Sequence, residues 1–304
     1  MLLDAFGLQA DPFMDTADPA FYYETLACAH WRRRLFECLS AGRGLAVVVG
    51  PVGAGKTTLF NAVLQDMLQA DRFRVGLVLD PGFSSESEWL TAVSQALAFD
   101  APAECSLREQ KDALKRQLFA AAAGGGLQPV LFIDEAQILN EALFESVRLL
   151  LNYQLDDRKL LSLAFSGQPE LAGTLARHPS LRDRVALWLE LQPLTLSEAS
   201  ELINYRLRRA GYAGVSSPFQ DAALEQIWRN AGGLPRRLTA LAREALESAA
   251  ERRSRAVSID DVAQAVRRLP PDFTPPRAAE RELRAPSEPS ARTPWWKRGR
   301  RLPV

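Results

Sequence analysis

The chain holds only three cysteines, Cys28, Cys38 and Cys105, and two histidines, His30 and His178, in 304 residues. So few and so scattered, they exclude a disulfide framework and a zinc cage. The cysteines are expected to be small buried hydrophobes in a reducing compartment. Charge of either sign is not in excess: Lys+Arg and Asp+Glu stand at 37 each, for a formal net charge of zero. That balance argues against a general polyanion binder, which draws on clustered Lys and Arg. No uninterrupted apolar run reaches the roughly 18 residues of a membrane-spanning helix. The first residues carry no basic segment followed by a long apolar one, so no signal peptide is expected. No internal repeat is evident. The expected location is cytoplasmic.

An apolar share of 47% is ample for a packed core. Residues 1–40 begin with a segment punctuated by Pro and Asp, from Phe6 through Pro12-Phe13 to Asp18-Pro19 and Tyr22, followed by a helical stretch from Glu24 to Leu39. From Leu45 on, short apolar runs alternate with helical patterns. The strand candidates are Leu45–Val49, Val75–Leu79, Val130–Ile133, Leu161–Phe165 and Ala186–Leu191, with helices expected near Thr58–Leu68, Glu88–Leu97, Leu107–Ala122 and Glu141–Leu155. Fully apolar strands separated by helices predict a parallel sheet covered on both faces, hence an α/β class. After Pro193 the strands stop, and Ser197–Arg209, Pro218–Ala231, Pro235–Arg252 and Ile259–Leu269 read as helices of a separate all-helical domain. From Pro270 the prolines crowd (Pro271, Pro275, Pro276, Pro286, Pro289, Pro294, Pro303), basic residues outnumber acidic ones, and 270–304 is expected to be disordered. The reading is therefore four parts: 1–40, a core over 41–193, a helical lid over 194–269, and the tail.

The most informative stretch runs from Leu45 to Leu59. Its apolar β-branched residues break into Gly50-Pro51-Val52-Gly53-Ala54-Gly55-Lys56-Thr57, followed by Thr58 and helix-forming sequence. Glycines at this spacing let successive backbone N–H groups curl around phosphates. Lys56 has the reach for β- and γ-phosphates, and Thr57 can ligate Mg²⁺. Downstream, Val130-Leu-Phe-Ile-Asp134-Glu135 is an apolar strand ending in two acids. Asp134 at the tip would hold the Mg²⁺ shell and Glu135 would polarise the attacking water. A protein that only binds nucleotide has no need of the second acid, so hydrolysis of ATP is the expectation, with ATP and Mg²⁺ as cofactors.

Three further positions are candidates. The next strand runs out into Ser166-Gly167-Gln168-Pro169, where Gln168, or alternatively Ser166, can orient the lytic water. Ser180-Leu-Arg182-Asp-Arg184 precedes the last strand; in a ring-forming ATPase an arginine here faces the neighbouring subunit's γ-phosphate, with Arg184 and Arg182 both open. Gly232-Gly233-Leu-Pro235-Arg236 opens a helix of the helical domain, from which Arg236 can reach back over the nucleotide.

With these pieces in order the chain resembles the AAA+ ATPases, specifically the ExeA/GspA (general secretion pathway protein A) type of bacteria. The likeness rests on Phe6-Gly7-Leu8, Pro12-Phe13, Asp18-Pro19, Phe21, Tyr23 and His30, then Ile133–Gln137, Gly167–Leu171 and Gly232–Arg236, over about residues 4–269. It implies a P-loop AAA+ sandwich with a C-terminal helical lid, Arg236 as sensor 2, and Arg184 as the arginine finger of a ring or filament of identical subunits. Members of that family continue through a transmembrane helix into a periplasmic peptidoglycan-binding region, which this sequence is expected to lack. The function implied is a motor or switch in assembly of an envelope system for secretion, pili or exopolysaccharide, with an envelope protein as partner. The alternative, from related ATPases of the same clan, is a DNA-associated regulator of transposition. Trp295-Trp296-Lys297-Arg298-Gly-Arg300-Arg301 suits peripheral contact with anionic lipid at the inner membrane.

Overall fold

The computed structural model describes residues 2–14, 21–100, 105–123, 126–154 and 159–270. The motif residues Asp18 and Pro19, and the tail beyond Pro270 with its Trp-Trp-basic patch, lie outside them. The chain divides into two units, one of residues 1–23 with 193–304 and one of residues 24–192. The amino-terminal segment read as one piece over 1–40 is thus shared out between them. Its short first helix, α1 (Leu2–Phe6), goes with the later helices. Its second, α2 (Leu26–Ser40), goes with the sheet.

In the 24–192 unit the strands are β1 (Leu45–Val49), β2 (Phe73–Val78), β3 (Gln128–Ile133), β4 (Ser162–Gly167) and β5 (Val185–Glu190). They form one sheet in the order β2-β3-β4-β1-β5, all pairs parallel. The helices between them are α3 (Lys56–Gln69), α4 (Glu86–Ala96), α5 (Leu107–Ala123), α6 (Glu141–Leu150), α7 (Glu170–Arg177) and α8 (Pro179–Arg182). Alternation along the strands sorts side chains between two cores. Leu45, Val47, Val49, Leu131, Ile133, Leu163 and Phe165 enter one with Trp89, Leu114, Phe144 and Leu171. Ala46, Val48, Val130, Phe132 and Ala164 enter the other with Leu35 of α2 and Leu59, Phe60 and Val63 of α3. Both faces are therefore covered, which is why β1 could be read as a continuous apolar run.

The strand order does the positioning. The chain leaves β1 for the far edge at β2 and returns through β3 to β4, which inserts beside β1. The carboxyl ends of β3, β4 and β1 consequently stand side by side, the usual place for a ligand crevice in an open parallel sheet. The register aligns the tips: Gly167 pairs with Val49, and Phe165 with both Val47 and Ile133.

In the other unit α9 (Leu196–Arg209), α10 (Asp221–Ala231), α11 (Pro235–Glu251) and α12 (Ile259–Arg268) pack around Ile203, Ile227, Leu238, Ala242 and Val262. Capping boxes start two of them, Thr195 with Glu198 and Ser258 with Asp261. The amino-terminal arm belongs to this core. Phe6, Leu8 and Phe13 are buried in it, Phe13 meets Phe219 edge-on, and Asp11 accepts from Arg243 Nε at 2.8 Å. Tyr23 donates to Glu201, and burial together with that carboxylate pushes its phenol up to about 12. Among the described residues no helix is long and apolar enough to cross a membrane.

Candidate functional site: a phosphate-binding loop beside two acids

The loop from Gly50 to Gly55 joins β1 to α3 through backbone that side chains resist: Gly53 has φ +80° and Gly55, the residue before α3, φ +95°. In that left-handed region glycine alone is unstrained, and the turn leaves the first N–H groups of α3 unbonded within the helix and aimed outward. The helix dipole adds partial positive charge at the same point. The loop is tied down at its root, where Gly50 N–H donates to Gly167 O at 3.2 Å. Thr58 lies in the first turn of α3.

Lys56 is only 6% exposed and folds back over the loop, its ammonium donating to Gly50 O at 3.0 Å and Pro51 O at 3.2 Å. Burial lowers its pKa from the ordinary lysine value, while the carboxylates of Glu135, Asp134 and Glu170 work to keep it charged. The hydroxyl of Thr57 donates to Asp134 Oδ2 at 2.7 Å. Asp134, 5% exposed, follows directly on β3, and its other oxygen accepts Glu135 N–H at 2.9 Å. Two hard oxygen donors in contact suit Mg²⁺, which keeps waters and shares phosphate oxygens rather than filling a protein cage.

Glu135 sits at φ +48°, ψ +39°, a left-handed conformation that non-glycine residues seldom adopt. That turn ends the strand ladder and swings the side chain toward the tip of β4. There Gln168 Nε2 stands 3.5 Å from Glu135 Oε2. Of the two residues open for this position, Gln168 is thus the one near the acid. Ser166 lies within β4, fully buried, its hydroxyl without a hydrogen-bond partner among the described residues.

Gln137 was quoted in the motif but given no task. The structure places its amide between these groups: Nε2 donates to Glu135 Oε2 at 2.5 Å, and Oε1 accepts the backbone N–H of Gln168 at 3.0 Å. Its position two residues past Glu135 was the available signal, but only a turn of left-handed backbone brings the two side chains together.

Arg184 is not part of this cluster. Its carbonyl accepts Leu45 N–H at 3.3 Å, at the start of β1, whereas the loop follows the end of β1. Five residues of strand separate the two, about 16 Å at 3.3 Å per residue. Its guanidinium is held by Asn152 Oδ1, with Nε at 3.1 Å, and by Ser180 O. Arg182 lies 3.6 Å from Asp183. Arg236 is exposed in the first turn of α11, in the other unit.

An AAA domain model matches residues 39–175, from the end of α2 into α7. The fold is that of an AAA+ P-loop NTPase. Over 268 residues, 87% of this chain, the sequence is 30% identical to general secretion pathway protein A of Aeromonas hydrophila. The match spans 48% of that relative, so the chain covers about half its length. Among solved structures, Cdc6p of Pyrobaculum aerophilum superposes with a TM-score of 0.63 at 16% identity, over 83% of this chain and 70% of that one. The Aeropyrum pernix ORC2 protein, in ADPNP and ADP complexes, gives 0.59 at 18% identity, over 83% and 71%. These likenesses extend the AAA+ fold across both units, and the ExeA/GspA resemblance read from the motifs holds over the same span.

Proposed function

We propose that this AAA+ chain hydrolyses ATP with Mg²⁺ and uses the cycle to drive assembly of a bacterial envelope system for secretion, pili or exopolysaccharide. The observation that carries the chemistry is the contact of Thr57 with Asp134, with Glu135 beside it and the Lys56 ammonium folded back onto the loop. In this reading residues 50–58 cradle the phosphates, Lys56 neutralises the β- and γ-oxygens, and Thr57 and Asp134 hold Mg²⁺. When bound, the ion offsets charge on the transferring phosphoryl group. Glu135 takes the water's proton, Gln168 orients that water, and Arg236 reports the nucleotide state to the helical unit. Arg184 acts on the nucleotide of a neighbouring copy, since its own loop lies at the other end of β1; a ring or filament follows.

The envelope role rests on the likeness to general secretion pathway protein A. The tail residues Trp295 to Arg301 add a peripheral anchor on the inner membrane, a proposal from sequence alone. A DNA-associated role in transposition is the competing reading, and the zero net charge counts against it. Measuring ATP hydrolysis with and without duplex DNA separates them. The envelope reading expects rates that DNA leaves unchanged, and a defect in secretion or surface assembly when the chromosomal copy carries Glu135→Gln. Several-fold stimulation by DNA with intact surface assembly would favour the alternative.

A further inference from the structure

We propose that Gln137 is a positioning residue for the water-polarising acid: its amide fastens the Glu135 carboxylate to the tip of β4, so that turnover rather than nucleotide binding depends on it. The proposal rests on the reading of Glu135 given above and adds to it a residue and a route.

The amide has one possible orientation. A backbone N–H can only donate, so the atom facing Gln168 N–H is the carbonyl oxygen Oε1, 3.0 Å away. That leaves Nε2, a donor only, against Glu135 Oε2. Each half of the amide therefore does a different job, one gripping the β4 tip and the other the acid. The surroundings are shaped to admit it. A Cβ on Gly167 would lie 2.8 Å from Gln137 Oε1 and 2.7 Å from Leu171 Cδ2, so any side chain there would push the amide aside. Lys56 from α3 is within electrostatic reach of Glu135, of Asp134 on the same turn, and of Glu170 at the start of α7. None of the other three donates a hydrogen bond to the Glu135 carboxylate, and the second donor near it, Gln168 Nε2, stands 3.5 Å off. Gln137 is the short contact. Because Gln168 N–H is its other partner, any shift of the β4 tip moves the acid as well.

Two substitutions in the full chain separate positioning from plain structure. Gln137→Glu keeps an acceptor for Gln168 N–H but loses the donor to Glu135. Gln137→Met is of similar length, uncharged, and loses both. Displacing a reacting group by about an ångström costs on the order of 100-fold. Both variants are expected to lower kcat by between about 10- and 100-fold, with KM for ATP within about twofold and the unfolding midpoint unmoved. Wild-type kcat in Gln137→Met overturns the proposal, and loss in Gln137→Glu alone does so too, since that pattern is charge repulsion. Should Gln137→Met fail to fold, Gln137→Leu, also uncharged and without either hydrogen bond, takes its place under the same two criteria. An active wild type, an inactive Glu135→Gln and an unaffected Gln137→Met would refute the positioning alone; equal turnover by wild type and Glu135→Gln would refute the reading of Glu135.

Discussion

Thr57 donates its hydroxyl to Oδ2 of Asp134 at 2.7 Å, joining the first turn of α3 to the tip of β3 across a sequence separation of 77 residues. β1, which leads into α3, does not pair with β3; β4 lies between them. The contact is made only because the parallel order brings three strand ends to one edge, and the proposed function puts the cation there.

Loss of Lys56 is the first expectation. Lys56→Ala removes the buried cation beside three carboxylates and strips Gly50 O and Pro51 O of their donor. Charge-assisted hydrogen bonds contribute about 1.5–3 kcal/mol each, so ATP affinity should fall by at least about 10- to 100-fold. Titration with a fluorescent ATP analogue checks it, and unchanged affinity would remove Lys56 from the site.

Arg184 supplies a second. With its backbone at the start of β1, a strand's length from the loop, and its guanidinium held by Asn152 and Ser180, Arg184→Ala should leave ATP affinity nearly intact while cutting hydrolysis on the order of 10³-fold. Mixing Arg184→Ala with Glu135→Gln should restore activity, because some interfaces pair an intact finger with an intact acid. If the two co-assemble and nothing is restored, Arg184 is not supplied in trans and Arg182 becomes the candidate.

The helical unit has its own acid-sensitive point. Burial opposes the charge of Asp261, but Arg252 at 2.5 Å, Ser258 and Ser248 hold its pKa down to about 2, below the model-compound 3.8. A folded value below the unfolded one means that the contribution is complete above about pH 4 and is lost as pH falls toward 2. Asp261→Asn should therefore cost about 1–3 kcal/mol at neutral pH and less near pH 2. Thermal unfolding followed by helical circular dichroism across that range measures it; a cost independent of pH would contradict the assignment.

How much of this was legible depended on range. Strand β1 was bounded to the residue, because an apolar β-branched run meeting glycine leaves one reading. Helices α7 and α8 are not among the expected elements, since eight and four residues are too short for a clear helical period; Pro179 occupies the first turn of α8. The expected helix over Glu141–Leu155 ends at Leu150, with Leu151 N–H and Tyr153 N–H closing the final turn onto Val147 O and Leu150 O. Phosphate-loop and acid positions were visible because local spacing specifies them. Gln137 was not, since its task arises from the left-handed turn at Glu135 and the approach of β4. The start of the chain reads as a segment of its own over 1–40, yet Phe6, Leu8 and Phe13 complete the helical core, a long-range pairing that no local pattern encodes.

The most direct test compares ATP turnover by the full chain with that of Glu135→Gln under saturating Mg-ATP. The substitution keeps size and hydrogen-bonding shape while removing the proton acceptor. The account predicts that the wild type releases phosphate, that Glu135→Gln binds Mg-ATP with similar affinity, and that its kcat falls on the order of 10²- to 10⁴-fold, the usual contribution of a positioned base. Near-equal turnover by the two proteins would contradict it.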